Sequence, residues 1–327
     1  MRVAVRTLVA VIVAFAASSV PESARAQSEP PSGRVPARQV GEHRFAGAVG
    51  VPNPFLSTYV SSSTGMATTL GLKVGLFNLD DPPQLLGTKE IDLYYLSQSF
   101  LFQQRVADAV ALRLAVFGSG RLGTETASLL TEGISAIMGG SAGGTVRLTE
   151  RPGFKLAATL DAGLNSLSAV SLRSFVEDIV ANGLSDSTNS PTQQLSNFRL
   201  TTGLRAAWGR SVTTGYLLYG DIGYDEPYEQ GGGDEFYWQA GGAVSLDMRE
   251  RWGPDVGFTL GAAVRSDLRR NEDLGNGGWS TSLGVFYSGR PELTLGCQML
   301  YTQLQQSKID DTFGALGFAF ILGYDFR

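Results

Sequence analysis

The side chains most often used in catalysis are scarce in this chain. Its 327 residues include one histidine, His43, and one cysteine, Cys297. A serine or cysteine nucleophile needs a base beside it, and zinc sites built on imidazole need several histidines. His43 precedes the regular segments, where we expect it to be solvated, and Cys297 falls on an apolar face, where we expect inert packing. The sequence therefore predicts no catalytic residues, no metal site and no cofactor.

One glycine pattern points to a different chemistry. Gly118, Gly120 and Gly123 form a G-x-G-x-x-G after an apolar segment, which is the spacing of a dinucleotide-binding site. Arg113 interrupts that segment, although the strand before such a site is normally wholly apolar and buried. Residues 196–326 show strand periodicity without helical periodicity, so a doubly wound sheet could not continue there. A dinucleotide-binding enzyme is the remote alternative, and glycines at the rim of a sheet are the simpler interpretation.

Charged residues recur at alternate positions inside otherwise apolar segments. Nine of them are candidates for lining a water-filled interior: Lys73, Arg113, Arg147, Lys155, Asp161, Arg199, Arg205, Asp221 and Arg265. A lysine or arginine that faces lipid at the bilayer midplane costs about 2–4 kcal/mol, so these groups must face water or one another. Two interpretations stay open: a pore lining, or a salt-bridge network that closes the interior. For a pore, we expect Lys73, Arg113 and Arg147 to form a basic stripe at the constriction that favours anionic or zwitterionic solutes.

The acidic residues exclude one class of partner. The formal net charge is −5, whereas nucleic-acid-binding proteins are usually basic, so we expect no nucleic acid as a partner. The stretch DEPYEQGGGDE at 225–235 concentrates acidic residues but lacks the ligand spacing of a calcium-binding loop. We expect a solvated loop there.

The elements that must position these residues are short strands. Twelve segments alternate bulky apolar residues with small or polar ones, which is the period of a strand with one apolar face. Most of these segments are close to the ~9–11 residues that a tilted strand needs to cross a bilayer. The predicted strands are 66–78, 89–103, 107–119, 143–150, 153–164, 196–208, 211–224, 234–248, 254–267, 278–289, 291–303 and 312–326.

The connections between the predicted strands alternate strictly between short and long. RPG at 151–153 is one of the short connections, and 165–195 is one of the long ones. Outer-membrane β-barrels combine short periplasmic turns with longer external loops. The pattern predicts an all-β fold, a twelve-stranded antiparallel transmembrane barrel over 66–327 with both ends at the periplasm. Two long loops, 124–138 and 169–184, show helical periodicity, and we expect them to be partly helical.

The N-terminus carries the features of a secretory signal peptide. Two arginines flank the start of the apolar stretch LVAVIVAFAA at 8–17, and Ala24-Arg25-Ala26 fits a small-x-small cleavage site. We expect a signal peptide at 1–26 that is cleaved before Gln27. The next segment, 27–65, is irregular and is a candidate plug for the interior of the barrel.

The C-terminus resembles the final strand of bacterial outer-membrane β-barrel proteins. In LGFAFILGYDFR, bulky residues share one parity, and Tyr324 and Phe326 give an aromatic ending, although Arg327 follows the phenylalanine. The resemblance covers the signal peptide and roughly 66–326 as architecture, and it identifies no subfamily. It implies that Tyr324 and Phe326 form the signal read by the barrel-insertion machinery. Outer-membrane lipid and this machinery are then the expected partners.

The predicted function follows from the barrel. We expect a passive channel or transporter in the outer membrane for a small polar or amphipathic solute, gated by a loop or by the N-terminal segment. The alternative is a non-conducting structural or adhesion barrel that acts through its external loops.

Overall fold

The computed structural model describes most of the region predicted to form strands. The described residues are 38–45, 52, 54–77, 85–123, 134–170, 192–226, 235–249, 253–268, 277–306 and 311–326. The chain divides into two units, Met1–Val35 and Pro36–Arg327, and every described residue lies in the second. Within the described residues, no helix is long and apolar enough to cross a membrane.

Twelve antiparallel strands form a closed barrel, which confirms the predicted fold. The barrel consists of β3 and β6 to β16, each hydrogen-bonded to the next, and β16 closes against β3. Two further hairpins, β1–β2 and β4–β5, form separate two-stranded sheets. In chain order the strands are β1 (Gln39–Val40), β2 (His43–Arg44), β3 (Thr58–Leu70), β4 (Leu72–Phe77), β5 (Leu85–Ile91), β6 (Leu93–Ala107), β7 (Val110–Gly123), β8 (Ile134–Arg151), β9 (Phe154–Val170), β10 (Thr192–Gly209), β11 (Thr214–Asp225), β12 (Glu235–Asp247), β13 (Val256–Leu268), β14 (Gly277–Tyr287), β15 (Leu293–Gln306) and β16 (Asp311–Phe326).

The outer surface of the barrel carries exposed apolar side chains, and the side chains of the inner surface are buried or half-buried. On β16, Phe320, Leu322 and Tyr324 are exposed, whereas Ile321 and Gly323 between them are buried. Successive residues of a strand point to opposite faces, so the exposed set points outward. Such a band is stable only against an apolar medium, and closure leaves no unpaired strand edge in it. Both features are those of a barrel embedded in a bilayer.

Short and long connections alternate around the barrel, as predicted. Residues 108–109 join β6 to β7, and 152–153 join β8 to β9. At the opposite end, 124–133 lie between β7 and β8, and 171–191 lie between β9 and β10. The two ends are called the short-turn end and the long-loop end below.

The first barrel strand lies earlier in the chain than predicted. β3 spans Thr58–Leu70 instead of 66–78, and Gly71 follows it with a φ of 74°, a conformation that glycine adopts without strain. Beyond this glycine, β4 pairs only with β5. Lys73 belongs to β4 and is therefore not part of the barrel wall, so its prediction as a lumen-lining residue was wrong. Alternation of apolar residues identifies a strand but does not show which sheet the strand joins.

The first predicted helical loop is partly a strand. β8 begins at Ile134 and pairs with both neighbours, for example Ile134 with Leu122 and with Val170. The prediction of helix was therefore wrong for 134–138, because the pairing with two adjacent strands outweighs a helical spacing of apolar residues. Ala169 and Val170 belong to β9, and the remainder of both predicted helices lies outside the described residues.

The glycines of the dinucleotide pattern lie in a barrel strand. Gly118 and Gly120 are inside β7, and Gly123 is its last residue. β7 is antiparallel to both β6 and β8, whereas a dinucleotide site needs a parallel strand–helix–strand unit. The fold therefore rules out this interpretation of the three glycines.

Candidate functional site

One part of the inner wall is built from small residues. Between Tyr59 and Thr69, the inward positions of β3 are occupied by serine, glycine and alanine, and Ser63 hydrogen-bonds Ser99 of the adjacent strand β6 at 2.9 Å. Eight strands already enclose a space that side chains can fill, so twelve strands leave a lumen unless larger groups occupy it. The small inward residues on β3, β6 and β16 are Ser61, Ser63, Gly65, Ala67, Ser97, Ser99, Ala315, Gly317, Ala319 and Gly323. Larger inward side chains on the same strands include Tyr95, Leu101 and Ile321.

The opposite part of the wall carries a buried ion pair near mid-height. Arg205 on β10 pairs with Asp221 on β11, and their side chains are 3% and 1% exposed. Gln239 on β12 donates a hydrogen bond of 2.7 Å to the other oxygen of Asp221. Gly203 provides the space for this pair, because a Cβ there would contact the Asp221 carboxylate. Three neighbouring strands are thus linked inside the lumen by one carboxylate.

A second ionic group lies toward the long-loop end. Arg199 on β10 holds both oxygens of Asp225, with its Nε at 2.5 Å and its Nη2 at 3.0 Å, and Arg265 on β13 reaches the same carboxylate at 3.3 Å. Both guanidiniums lie beside the ring of Tyr237, 5.9 Å and 4.0 Å from its centroid. The Tyr237 hydroxyl is 2.6 Å from the Thr201 hydroxyl. We call Arg199, Arg265, Asp225 and Tyr237 the arginine pair site.

Sequence reasoning missed half of the arginine pair site. Asp225 was expected in a solvated loop, but it is the last residue of β11 and is buried. Its parity with Asp221 would have indicated an inward position. Tyr237 is also inward and buried, and it was not predicted because only charged residues were considered as lumen-lining candidates.

The other predicted basic residues do not form a stripe. Arg113 on β7 pairs with Asp161 on β9, with its Nε 3.1 Å from one carboxylate oxygen. The pair spans β8 at Gly143, where a Cβ would contact the Asp161 carboxylate. Alternation places both residues inward, but it does not show that a glycine between them lets them meet.

Arg147 and Lys155 meet at the short-turn end. Both contact the carboxylate of Glu150, with the Lys155 ammonium at 3.0 Å. With Arg147 paired here, Arg113 paired elsewhere and Lys73 outside the wall, the predicted basic stripe was wrong.

The segment that precedes β3 lies inside the barrel at the short-turn end. The β1–β2 hairpin turns at Gly41, whose φ is 59°, and residues 54–57 lead into β3. We call residues 38–45 and 54–57 the inner segment. Its apolar side chains and those of the wall form one buried cluster of Val40, Phe45, Phe55, Ala207, Leu217 and Ala243.

Arg38 attaches the inner segment to the last two strands of the barrel. Its Nη1 donates a 2.8 Å hydrogen bond to the Thr294 hydroxyl on β15. Its Nε lies 3.1 Å from an oxygen of Asp325 on β16, at ion-pair distance without hydrogen-bond alignment. Ser57 donates to the other oxygen of Asp325 at 2.7 Å, so the two ends of the inner segment converge on one carboxylate.

Further polar contacts hold the inner segment to the rest of the ring. Arg44 donates to the carbonyl of Ser288 at 2.7 Å and also to that of Arg290, both in the turn between β14 and β15. On the other side, Gln103 of β6 donates to the carbonyls of Phe55 and Ser57, each at 2.9 Å. These contacts reach widely separated strands, so the inner segment extends across the short-turn end.

His43 is fully buried, so the prediction that it is solvated was wrong. Its Nδ1 donates to the carbonyl of Val212 at 3.0 Å, and its Nε2 is buried with no hydrogen-bond partner. Burial lowers the pKa of His43 below its ordinary value, and the hydrogen bond to Val212 and the charge of Asp247 raise it by less. The neutral ring is therefore the form that fits this position.

The predicted insertion residues lie on the outer surface. Tyr324 and Phe326 are exposed at the end of β16, with their ring centroids 5.3 Å apart. Cys297 is also exposed on this apolar surface, where it pairs in register with Phe320 and Val285. Among the described residues, no group of three or more His, Cys, Asp or Glu could hold a metal ion.

The barrel geometry and the lipid-facing surface together decide the class of protein. The fold is that of an outer-membrane β-barrel. Neither a protein-family model nor a curated protein matches the sequence. Solved structures that match include the β-domain of the Bordetella autotransporter BrkA, with a TM-score of 0.50, 10% identity, and coverage of 83% of this chain and 100% of that one.

Two other matching structures have different described roles. The translocator domain of the autotransporter NalP from Neisseria meningitidis has a TM-score of 0.48, 11% identity, and coverage of 83% of this chain and 88% of that one. An outer-membrane channel from Pseudomonas putida F1 has a TM-score of 0.47, 11% identity, and coverage of 85% and 99%. At this level of identity the similarity shows the fold alone. The barrel architecture rests on the closed ring of twelve strands and its apolar outer surface, and no subfamily is indicated.

Proposed function

We propose that this chain is an outer-membrane channel for a small polar solute, and that its own N-terminal segment closes the periplasmic end. The observation that carries the proposal is that a separate segment, rather than the barrel wall, occupies the short-turn end of the lumen. Serine, glycine and alanine occupy a run of inward positions on β3, β6 and β16, and these residues are too small to fill that part of a twelve-stranded barrel. A barrel with a purely structural role could fill its interior with its own side chains.

The way the inner segment is attached supports a removable closure. β1 and β2 pair with each other and not with any barrel strand. Release of the inner segment would therefore leave every backbone hydrogen bond of the wall intact. It would break the side-chain contacts of Arg38 and Arg44 and expose the apolar cluster around Phe45.

The non-conducting alternative is also favoured by an observation. The pairs Arg205–Asp221 and Arg113–Asp161 link nearby strands on the inner wall, as expected for a salt-bridge network that stabilises the barrel. Such pairs stabilise the wall whether or not solute passes, so only a measurement of conductance separates the two functions.

The test compares conductance in planar bilayers for the refolded mature protein and for the double variant Arg38→Ala/Arg44→Ala. The variant loses the polar attachments of the inner segment, so we expect its open probability to rise several-fold over wild type. The control is Arg105→Ala, because the Arg105 side chain is exposed and pairs with Asp108 in the turn between β6 and β7, not with the inner segment. Absence of conductance in wild type and in the double variant would support the non-conducting barrel instead.

We also propose that the signal peptide at 1–26 directs export and is cleaved before Gln27, which leaves 27–57 free to act as the plug. Residues 1–37 lie outside the described residues, so this proposal rests on the sequence pattern. The intact mass of protein purified from outer membranes tests it. A mass that includes 1–26 would reject cleavage at this site.

A further inference from the structure

We infer that a cavity on the outer surface of the barrel, at its short-turn end, binds one acyl chain of an anionic phospholipid whose headgroup phosphate contacts Arg151 and Arg210. The inference goes beyond the proposed function, because a lipid bound outside the barrel does not require an open lumen. It depends on three observations: the shape of the cavity, the charge beside it, and its position in the membrane.

The cavity lies between β9, β10 and β11 on the lipid-facing side of the barrel. The small side chain of Ala206 leaves the space, because it lies in register with the larger Leu156 and Leu218 on the two adjacent strands. The volume is about 200 Å³, which is room for part of one acyl chain. The lining residues are Phe154, Ala206, Trp208, Tyr216 and Leu218.

The walls of the cavity stand away from the barrel. Trp208 and Leu218 are 53% and 60% exposed, and the ring centroids of Trp208 and Tyr216 are 5.6 Å apart. An empty cavity that faces hydrocarbon loses dispersion contacts along its lining, and a flexible methylene chain restores them. An acyl chain is therefore the occupant that fits both the lining and the medium around it.

Two arginines lie on the same outer face beside the cavity. Arg151, the last residue of β8, is in register with Phe154, which places their Cα atoms about 4.5–5.5 Å apart. Arg210 donates its backbone N–H to the carbonyl of Thr214, so it continues the ladder of β10 two residues beyond Trp208. Both arginines are exposed. A guanidinium binds a phosphate through two parallel hydrogen bonds, so this pair suits a phosphate group.

Neither arginine is neutralised within the part of the chain that the structure describes. The acidic residues of β9 and β11 point inward, and Glu150, the neighbour of Arg151, is held inside by Arg147 and Lys155. Glu42 is exposed at the tip of the β1–β2 hairpin, on the inner side, and forms no ion pair with a described arginine. The outer face around the cavity is therefore basic, although the whole chain is acidic.

The cavity and the arginines lie at different depths, in the order of a phospholipid. Trp208 and Tyr216 are near the ends of β10 and β11, where aromatic residues mark the boundary between hydrocarbon and headgroups. Arg210 lies beyond that boundary, at the level of the headgroups. In the orientation predicted from the connections, this end lies in the periplasmic leaflet of the outer membrane, which consists of phospholipids. A chain in the cavity and a phosphate at the arginines can therefore belong to one molecule.

The experiment measures quenching of tryptophan fluorescence in the full mature chain, reconstituted in phosphatidylcholine bilayers that contain one lipid with brominated acyl chains. At equal fractions, we expect brominated phosphatidylglycerol to quench more than brominated phosphatidylethanolamine, because the anionic lipid is enriched at the cavity. Trp208→Phe should remove this excess. Trp279→Phe is the matched control, since Trp279 is an exposed residue at the long-loop end, and it should keep the excess.

Variants of the arginines test the headgroup contact. Arg151→Gln and Arg210→Gln should each lower the preference for phosphatidylglycerol about fivefold, the effect of one basic residue near an anionic lipid surface. Arg151→Lys and Arg210→Lys keep the charge and should keep most of the preference. Arg105→Gln, at the same end but paired with Asp108, should behave as wild type does. Heat-modifiable gel mobility verifies that each variant is folded.

A second pair of variants tests the cavity itself. Ala206→Leu fills the space with all the arginines present, and we expect it to remove the excess quenching. Ala240→Leu is the matched control, because Ala240 is a small outward residue of β12 that does not line the cavity. It should keep the excess.

Four results would overturn the inference. The first is equal quenching of wild type by the two brominated lipids, and the second is an unchanged excess in both glutamine variants. The third is loss of the excess on addition of free inorganic phosphate, which would make the arginines a phosphate site independent of the cavity. The fourth is a Trp208 that neither brominated lipid reaches, which would mean that a second copy of the chain covers this surface.

Discussion

At the scale of single residues, the features that matter most are the close contacts between the inner segment and the wall. His43 has the sharpest consequence, because its buried Nε2 has no acceptor for a second proton. The negative charge that acts on the ring is that of Asp247, and its carboxylate already accepts hydrogen bonds from Ser288 and from the backbone N–H of Arg249. Protonation of the ring would therefore place a poorly compensated charge in a closed site.

The first prediction is that acid weakens docking of the inner segment. The pKa of His43 is lowered when the segment is docked, so its stabilising contribution is complete above the free value of about 6.5 and is lost as pH falls through the lowered pKa. We expect open probability in planar bilayers to rise between pH 7.5 and pH 5. In His43→Gln, which cannot titrate, this change should disappear. An identical pH response in the variant would assign the effect to another group.

The second prediction concerns Gly209, which touches the hairpin backbone. A Cβ at this position would contact the carbonyl of Val40, so Gly209→Ala should weaken docking by about 1–3 kcal/mol, as overpacking usually does. Limited proteolysis of the folded protein should then cut the inner segment faster. Gly220→Ala is the matched control, since nothing lies within 4 Å of a Cβ there. Equal cleavage of the two variants would show that this contact does not hold the segment.

At the scale of elements, the alternation of apolar residues was sufficient to predict most of the strands of the barrel. It located β16 and its two faces, because bulky residues occupy almost every outward position. It failed at β3, TYVSSSTGMATTL, where serine and threonine fill half or more of the positions on each face and the apolar alternation begins only afterwards, in β4.

The contacts between strands were less predictable than the strands themselves. Whether Arg113 meets Asp161 depends on the register of three strands and on Gly143 between them. The parity of a residue in its strand predicts which face it lies on. Its neighbours on adjacent strands depend on the strand register, which only the structure of the closed barrel shows. For the same reason the inner segment, which has no periodicity, gave no sign in the sequence of its contacts with Asp325 or Gln103.

The third prediction tests β16 as the insertion signal. Phe326 lies at the membrane boundary, where a charge on the lipid face costs only about 0–1 kcal/mol, so Phe326→Asp should barely change the stability of the finished barrel. We nevertheless expect a several-fold loss of folded protein in outer membranes, measured by heat-modifiable mobility. Trp208→Asp is the matched control, being an exposed aromatic residue at the same end of β10. Equal yields for the two variants would show that β16 is not recognised through this residue.

At the scale of the whole molecule, the alternating connections predict how the barrel is oriented in the membrane. The fourth prediction is that an epitope tag within 171–191 is accessible to antibody on intact cells, whereas a tag within 210–213 is accessible only after the outer membrane is permeabilised. The reason is that long loops of such barrels face outward and short turns face the periplasm. The reverse labelling would invert the assignment of the two ends, and with it the proposal of a periplasmic plug.

The attachment of Arg38 to Thr294 and Asp325 also sets an order of events during biogenesis. The hairpin that carries Arg38 leaves the export machinery before any barrel strand, yet its partners lie on the last two strands to be made. Contacts between residues so distant in sequence form late, after the chain has paid the entropy of bringing them together. The contacts of Arg38 must therefore wait until the last two strands are in place. Under the proposed closure by the inner segment, a newly inserted barrel is unsealed for a time, and the length of that time depends on how fast the tethered hairpin docks.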